Sequence, residues 1–376
     1  MTRDVLVSDQ IALLATGDEL SNGDILNTNS QEIAQRLFNN GMHVGRHMVT
    51  GDRIADIRDA ICYLLQSHRA LIITGGLGPT SDDLTRYALA DALEQELVFD
   101  IPTWDSIVQR LKNFGYASPP PNNRQQALFP SAATIIPNPN GTAAGCQVQQ
   151  SEQFIFMLPG PPIECLPMVD QIVLPTLIKN HFQKILFHHK WLLFGVSEGQ
   201  IAEELDLLAK PYDCMTGYRL WYPYIEFKLY SNNQMDFLSL LPQIEKTVAP
   251  YIIGDGKNSA SVLLKNHLAA IDFTIAIADH ATGGLLESII KTPRTAAHLH
   301  FLNDLTQSLH SLNIAIDGLD EFWQNQNTAL TSLELRFMTE QTQHHSHHDL
   351  PFRGLRVKQY AVELICRQLY TYLNLN

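Results

Sequence analysis

The first hundred residues alternate short apolar runs with segments of helical periodicity. The apolar runs are IALLAT (11–16), MHVGRHMV (42–49) and ALIIT (70–74). The segments that follow them space their apolar residues three and four positions apart, and are NSQEIAQRLFNNG (29–41), IADIRDAICYLLQ (54–66) and LTRYALADAL (84–93). Regular alternation of strands and helices predicts an α/β fold, a three-layer, mostly parallel sheet with helices on both faces.

This first domain is predicted to continue to residue 180. A stretch rich in Pro, Asn and Gly precedes another strand and a rigid loop, FIFMLPGPP (154–162). The helix predicted after it, over 163–180, must be interrupted or kinked at Pro167 and Pro175, because proline lacks a backbone donor. The complete first domain is therefore assigned to residues 1–180.

Two smaller domains are predicted to follow. Residues 181–255 give the order strand, helix, strand, helix, strand, a small α+β module whose last predicted strand is YIIG (251–254). Residues 256–376 begin a further α/β domain, with a strand at FTIAIA (273–278). The histidine-rich segment HHSHH (344–348) is predicted to be a loop.

The composition and charge argue against several classes of function. The net charge of −13 argues against general binding to nucleic acid or to acidic membranes. No apolar run reaches the roughly 20 residues of a membrane span, and MTRDVLVSDQ (1–10) lacks the apolar core of a signal peptide. The five cysteines are scattered and never spaced as C-x-x-C, which is typical of reduced thiols in a cytoplasmic protein.

Polar and glycine-rich loops follow three of the predicted strands. They are TGDELSNGDILNTNS (16–30), TGGLGPTSDDLT (74–85) and LPGPP (158–162). Open parallel sheets bind ligands beyond the carboxyl ends of their strands. These three loops are therefore the candidate walls of one binding site.

The second of these loops has the composition of a phosphate site. Glycines let the backbone approach a ligand closely, and successive N–H groups leading into a helix bind anions. Asp82 and Asp83 would repel a bare phosphate, which suggests a divalent cation between them. The alternative is that either aspartate only caps the helix that follows, and the residues alone leave the two interpretations open.

Five ordered motifs carry a resemblance to a known family. The three loops above, together with NNRQQALFP (122–130) and NPNGTAAG (138–145), resemble the competence/damage-inducible protein A (CinA) family over about residues 8–180. The first domain in turn resembles the molybdopterin-binding fold. The resemblance implies that residues 181–255 are a KH-type module and that residues 256–376 are a truncated amidase-like domain.

The resemblance implies a metal-dependent ADP-ribose pyrophosphatase that forms AMP and ribose 5-phosphate. Asp83 and Asp82 would be the catalytic and metal-binding residues, holding a divalent metal ion. The residues implied in substrate binding are Asp18, Glu19, Asn27, Thr28, Asn29, Thr74, Gly75, Gly76, Gly78, Thr80, Asn138, Gly141, Thr142, Gly160 and Pro161. For the last five of these, a role in loop rigidity alone remains open.

The same family resemblance implies that a second site, in the C-terminal domain, has lost its catalytic group. The family's nicotinamide mononucleotide amidase signature, AESCTGG, corresponds here to ADHATGG (278–284). The serine nucleophile is replaced by His280, and an imidazole would not reproduce its geometry. Amidase activity is therefore expected to be absent. The segment FRGLRVK (352–358) also resembles the family's C-terminal end.

Other functions remain open at this stage. The first domain could be a non-catalytic pterin- or nucleotide-binding protein, or resemble a molybdenum-cofactor adenylyltransferase, because one fold serves several chemistries. The expected partner is a small-molecule nucleotide or pterin ligand, with no nucleic acid and no membrane. The apolar segment YAVELICRQLYTYL (360–373) could form a homodimer interface as well as a core.

Overall fold

The computed structural model describes residues 11–306, 308–324, 329–351 and 354–375. They form two compact units, the first ending at Ile185 and the second beginning at Leu186. The predicted division at residue 180 lies close to this boundary, and the division at residue 255 falls inside the second unit and stays a prediction. The segment MTRDVLVSDQ, and Phe352 and Arg353 of FRGLRVK, lie outside the described residues.

The first unit is an α/β unit, as predicted. Its elements are β1 (Ile11–Thr16), α1 (Asp18–Ser21), α2 (Thr28–Asn39), β2 (Val44–Thr50), α3 (Ile54–Leu65), β3 (Ala70–Thr74), α4 (Thr85–Ala92), β4 (Leu97–Phe99), α5 (Ile101–Asn113), a 3₁₀ helix (Pro121–Ala127), β5 (Leu128–Pro130), β6 (Ala133–Ile136), β7 (Gly145–Gln150), β8 (Gln153–Leu158), α6 (Pro162–Met168), a π-helical segment (Val169–Val173) and α7 (Leu174–Lys179).

Its six-stranded sheet has the order β2-β1-β3-β8-β7-β6. The first four strands are mutually parallel, and β7 and β6 are antiparallel additions at one side. The register pairs Ala15 with Thr74 and Thr74 with Leu158, so the carboxyl ends of β1, β3 and β8 lie side by side. The three polar loops therefore leave the same edge of the sheet.

Helices cover both faces of this sheet. Ile57 and Leu64 of α3 are buried with Leu89 of α4 on one face, and Ile33 of α2 is buried with Leu177 of α7 on the other. Strands β1 and β3 are buried along their whole length, which is why they read as continuous apolar runs without alternation. The predicted three-layer arrangement is confirmed.

The second unit is also mixed α/β. Its elements are β9 (Phe187–Phe194), α8 (Glu198–Ala209), β10 (Met215–Trp221), β11 (Tyr224–Ser231), α9 (Gln234–Val248), a 3₁₀ helix (Ala249–Tyr251), α10 (Ala260–Leu268), β12 (Ile275–Asp279), α11 (Leu285–Ile290), β13 (Leu299–Phe301), β14 (Leu312–Gly318), α12 (Asp320–Trp323), β15 (Leu330–Met338), β16 (Gln343–Pro351) and α13 (Arg356–Leu375).

The small module differs from its prediction in two strands. Its sheet is antiparallel with the order β10-β11-β9, and β10 and β11 form a hairpin that the sequence did not suggest. The predicted strand YIIG is wrong. Pro250 cannot donate a ladder hydrogen bond, and the Ile252 N–H donates to the Ala249 carbonyl to close a helical turn. The name KH-type stays a prediction.

The C-terminal sheet has the order β13-β12-β14-β15-β16, in which β12 is parallel to both neighbours. The loop predicted at HHSHH is wrong, because this segment lies in β16 and pairs in register with β15, with His347 opposite Glu334. The apolar face of α13, including Val362 and Ile365, packs into the core of this unit. Among the described residues, no helix is both long and apolar enough to cross a bilayer.

Candidate functional site

A cavity of about 570 Å³ opens at the carboxyl edge of the parallel strands of the first unit. Most of the predicted binding residues line it, as the strand-end rule requires. They are Glu19, Asn27, Thr28, Asn29, Thr74, Gly75, Gly76, Gly78, Asp82, Asp83, Thr142, Gly160 and Pro161. The structure thus brings together residues from segments more than 140 positions apart in the chain.

Four predicted residues do not line this cavity. Asn138 and Gly141 line a neighbouring cavity of about 340 Å³, and Thr142 belongs to the walls of both. Asp18 pairs with the loop that follows β2, and Thr80 is bound within its own loop. The NPNGTAAG loop therefore contributes residues to the walls of both cavities.

Glycine is required at two positions after β3, because neighbouring atoms approach the backbone closely there. Gly75 and Gly76 have φ values of +104° and +65°, in the left-handed region that favours glycine. A Cβ atom at Gly75 would collide with the carbonyl oxygen of Thr16, and one at Gly76 with the hydroxyl of Thr85. A Cβ at Gly160 would lie 3.6 Å from the Cα of Gly75. The loops after β1, β3 and β8 therefore pack backbone against backbone.

Asp83 closes the glycine loop on itself. Its Oδ1 accepts a hydrogen bond from the Gly78 N–H at 2.6 Å. Its Oδ2 accepts from the Thr80 N–H at 2.8 Å and from the Thr80 hydroxyl at 2.5 Å. Both carboxylate oxygens are thus engaged within the loop. This geometry gives Asp83 a role in positioning its own loop. Its assignment as a metal ligand stays a prediction.

Three side chains donate hydrogen bonds to carbonyl groups of the same loop. Arg86 donates to the carbonyls of Leu77 at 2.6 Å and Gly78 at 3.4 Å. Gln126 donates to the Leu77 carbonyl at 3.3 Å, and Gln125 to that of Gly78 at 3.1 Å. The motif NNRQQALFP is therefore the support of the glycine loop, a role that its sequence did not indicate.

Arg86 places a positive charge under the floor of the cavity. Its side chain is 1% exposed, and this burial lowers the pKa to about 10. The guanidinium remains protonated at neutral pH. A buried cation beneath a glycine-rich loop favours an anion above it, because the interior screens the charge less than water does. Arg86 was not among the predicted site residues, because it occupies a helical position among apolar residues.

One wall of the cavity is acidic. Burial raises the pKa of Asp52, and the nearby charges of Asp18, Glu19 and Asp82 raise it further, although a hydrogen bond from the Asp18 N–H opposes them. Asp52 lines the cavity but was not among the predicted site residues. The signal was present, because Thr-Gly-Asp follows β2 at 50–52 as it follows β1 at 16–18.

The predicted divalent metal ion would have to be held by these side chains. The acidic wall supplies oxygen ligands of the kind that Mg²⁺ prefers. However, no group of three or more His, Cys, Asp or Glu side chains is arranged to hold a metal ion in the described part of the chain. The metal ion stays a prediction, and no step of the chemistry below depends on it.

The two asparagines of the first loop have different roles. Asn27 caps α2, because its Oδ1 accepts a hydrogen bond from the Ser30 N–H at 3.1 Å. Asn29 is 9% exposed and donates to the Gly160 carbonyl at 2.6 Å. Its Oδ1 is buried and accepts no hydrogen bond among the described residues. A buried acceptor in a cavity wall is suited to a donor group on a ligand.

Asn138 organises the NPNGTAAG loop. Its Oδ1 accepts from the Asn140 and Gly141 N–H groups at 2.9 and 2.8 Å. Its Nδ2 donates to the Ala143 carbonyl at 2.9 Å and to Glu164 Oε2 at 2.6 Å. These contacts favour the interpretation that Asn138 rigidifies the loop.

In the second unit, His280 follows β12 and is held at both ring nitrogens. Nδ1 lies 2.9 Å from Asp317 Oδ1, and Nε2 lies 3.1 Å from the Asn303 carbonyl oxygen. The hydrogen bonds to Asp317 and Asn303 raise the pKa of His280. The imidazole is thus disposed to donate on both sides, which is unsuited to a nucleophile. The indole of Trp323 covers the adjoining turn and donates to the Ala281 carbonyl at 2.7 Å.

Comparisons with known proteins agree with this architecture. The family described as "Probable molybdopterin binding domain" matches residues 12–179. A CinA-like protein of Geobacter sulfurreducens is 32% identical over 305 residues, covering 79% of this chain and 74% of the relative. A CinA-like protein of Shewanella woodyi is 30% identical over 297 residues, covering 77% and 70%.

Two solved structures are similar to part of this chain. The protein CinA of Thermoplasma acidophilum, described as of unknown function, is 28% identical, with a TM-score of 0.41, and the match covers 46% of this chain and 97% of that chain. The molybdopterin biosynthesis enzyme MoaB of Thermus thermophilus is 16% identical, with a TM-score of 0.31, and covers 46% and 95%.

These findings overturn the expectation of an ADP-ribose pyrophosphatase. The domain match is to a molybdopterin-binding domain, and the relatives are described as CinA-like proteins, with no ADP-ribose hydrolysis in those descriptions. The relation to nicotinamide mononucleotide amidase is what the family resemblance implies for the C-terminal part. The structural reason for the error lies in Asp83, whose carboxylate suggested hydrolytic metal chemistry but is engaged in shaping its own loop.

Proposed function

We propose that this chain, which belongs to the CinA-like protein family, binds a phosphorylated pterin or a nucleotide in the cavity of its first unit without hydrolysing it. Family membership confirms the resemblance drawn from the five ordered motifs. The observation that carries the proposal is the protonated, buried Arg86 beneath the glycine loop.

The phosphate group is expected above the glycine loop. Gly75 and Gly76 present bare backbone to the cavity, and Arg86 supplies a charge that favours an anion. The loop is rigid before a ligand arrives, because its carbonyls are bound by Arg86, Gln125 and Gln126. A loop that is ordered before the ligand arrives loses little entropy on binding, which favours affinity.

The ring of the ligand is expected near the apolar mouth of the cavity. Ile25 and Leu26 line the cavity and are 55% and 84% exposed. A planar heterocycle would cover this apolar surface, and a ring N–H or hydroxyl could donate to Asn29 Oδ1. Binding without turnover is favoured because Asp83 directs both carboxylate oxygens at its own loop.

Isothermal titration calorimetry with AMP and with a phosphorylated pterin tests the proposal. Gly76→Ala should abolish binding, because its Cβ would displace the loop against Thr85. Gly115→Ala is the matched control, since Gly115 also has a positive φ, +89°, but nothing lies within 4 Å of the added atom. Phosphorus NMR should show the bound compound intact after hours.

Equal binding by both glycine variants, or no binding of either compound to the wild type, would refute the assignment. Asn29→Ala gives a second measurement, and should weaken binding about tenfold through the lost acceptor. Repeating the titration with Mg²⁺ and with a chelator tests the predicted cation. The acidic wall predicts tighter binding when the ion is present.

A further inference from the structure

One face of the three-stranded sheet in the second unit carries a cluster of three cations. The opposite face packs Trp191, Leu193 and Phe227 against α8 and α9. Side chains alternate along a strand, so the residues next to these point away from the helices. The register pairs Lys190 with Lys228, and Arg219 with Glu226, and so sets the cationic residues side by side.

A single buried carboxylate holds the cluster together. Glu226 Oε2 lies 2.9 Å from Arg219 Nη2 and 3.3 Å from Lys190 Nζ, and Glu226 Oε1 lies 2.9 Å from Lys228 Nζ. The Glu226 side chain is 2% exposed, while Lys190, Arg219 and Lys228 are 50%, 61% and 35% exposed. Three positive charges against one negative charge leave an excess of two on this face. This excess is unusual for a chain whose net charge is −13.

A glycine adjoins the cluster. Gly217 stands opposite Lys228 in the register and adds no side chain to this face. A Cβ at Gly217 would lie 3.5 Å from the ring of Tyr230 and 3.9 Å from the Cβ of Lys228. The ring of Tyr230 and the cationic side chains therefore lie close together on this face.

We propose that this face binds a small molecule through a phosphate or pyrophosphate group, contacted by Lys190, Arg219 and Lys228. Glu226 is a positioning residue that holds the three cations within reach of one anion. Arg and Lys together match the charge and the several acceptor oxygens of a phosphate group. The site is separate from the cavity of the first unit and does not depend on the function proposed for that cavity.

Glycine-selective ¹⁵N NMR of the full chain separates the two sites in one titration. Inorganic pyrophosphate is the probe, Gly217 reports on the sheet face, and Gly75 and Gly76 report on the cavity. Pyrophosphate should shift the Gly217 resonance in a saturable way. Lys190→Met should weaken this response about tenfold. Lys190→Met with Arg219→Met should remove it.

Lys246→Met is the matched control, because Lys246 is an exposed residue of α9 in the same module and outside the cluster. It should leave the Gly217 response unchanged. Lys190→Met alone keeps Arg219 and Lys228 on Glu226, so its fold can be checked by thermal unfolding.

The proposal is overturned if Gly217 does not respond, if its response survives the double variant, or if Lys246→Met weakens it equally. It is also overturned if a single-stranded oligonucleotide shifts Gly217 at much lower concentration than pyrophosphate, since the face would then be a nucleic-acid site. A response of Gly75 or Gly76 alone would support only the cavity, and would refute the sheet site.

Discussion

Replacement of Arg86 by methionine should separate ligand binding from stability. The side chain is buried beneath the glycine loop and donates to two loop carbonyls. Methionine keeps much of the aliphatic bulk and removes the charge. The two carbonyls keep a second donor each, from Gln126 to Leu77 and from Gln125 to Gly78.

The effect on stability is a difference of opposing contributions. Burial lowers the Arg86 pKa from 12.5 to about 10, which corresponds to roughly 3 kcal/mol for keeping the guanidinium charged. Methionine relieves this cost but loses two hydrogen bonds, each worth about 1.5–3 kcal/mol and partly replaced by the glutamines. The free energy of unfolding should therefore change by less than about 2 kcal/mol.

The effect on binding has no such compensation. For charges roughly 7 Å apart at an effective dielectric constant of about 20, Coulomb's law gives about 2 kcal/mol for each unit of ligand charge. This corresponds to roughly a 30-fold loss of affinity for each unit of ligand charge. Calorimetry with AMP measures the affinity, and urea unfolding measures the stability.

Arg124→Met is the matched control. Arg124 belongs to the same motif, but it is exposed and lies over the ring of Phe99 at 4.3 Å. It should leave AMP binding unchanged. The reasoning is refuted if Arg86→Met binds AMP as tightly as the wild type, or if Arg124→Met weakens binding to the same extent.

Two further predictions concern the second unit. Gly283→Ala should destabilise the second unit more than Gly284→Ala does, as measured by thermal unfolding. Both residues have positive φ, but only a Cβ at Gly283 would collide with the Trp323 ring, at 2.6 Å. Equal losses of stability in the two variants would show that backbone strain, and not the collision, causes the loss. His280 should titrate in NMR above 6.5, and Asp317→Asn should lower its pKa, because Asp317 is the main cause of the rise. Because the pKa of His280 is raised in the folded protein, the stabilisation by its protonated form is complete below pH 6.5 and is lost as pH rises through the folded pKa. An unchanged His280 pKa in Asp317→Asn would contradict the assignment of Asp317 as the main cause.

Much of the candidate site could be predicted because its residues follow strands directly. Gly75 and Gly76 come directly after β3, so the strand-end rule selected them without tertiary information. Asn29 lies in α2, beyond α1, and belongs to the polar motif that begins at the end of β1. Asp52 obeys the same rule and was missed only because the repeated Thr-Gly-Asp was not compared. Arg86 and Gln125 obey no such rule, since their role depends on contact with a loop that local patterns do not connect to them.

The errors share a physical origin. The HHSHH segment has no apolar alternation, so its strand depends on pairing with β15 and not on local preference. The β10-β11 hairpin was missed for the same reason, because its residues acquire their pattern of burial only when the sheet forms.

Local patterns along the chain were enough to establish the α/β class, the order of the first strands and the loops that meet at one edge. These properties follow from short-range periodicity and from the fixed geometry of parallel sheets. The chemical role of each group was decided by long-range packing. The sequence did not show that the oxygens of Asp83 accept hydrogen bonds from Gly78 and Thr80. It also did not show that Arg86 donates to the carbonyl groups of the glycine loop. A side chain's role depends on which donors and acceptors surround it, and these come from segments that only folding brings together.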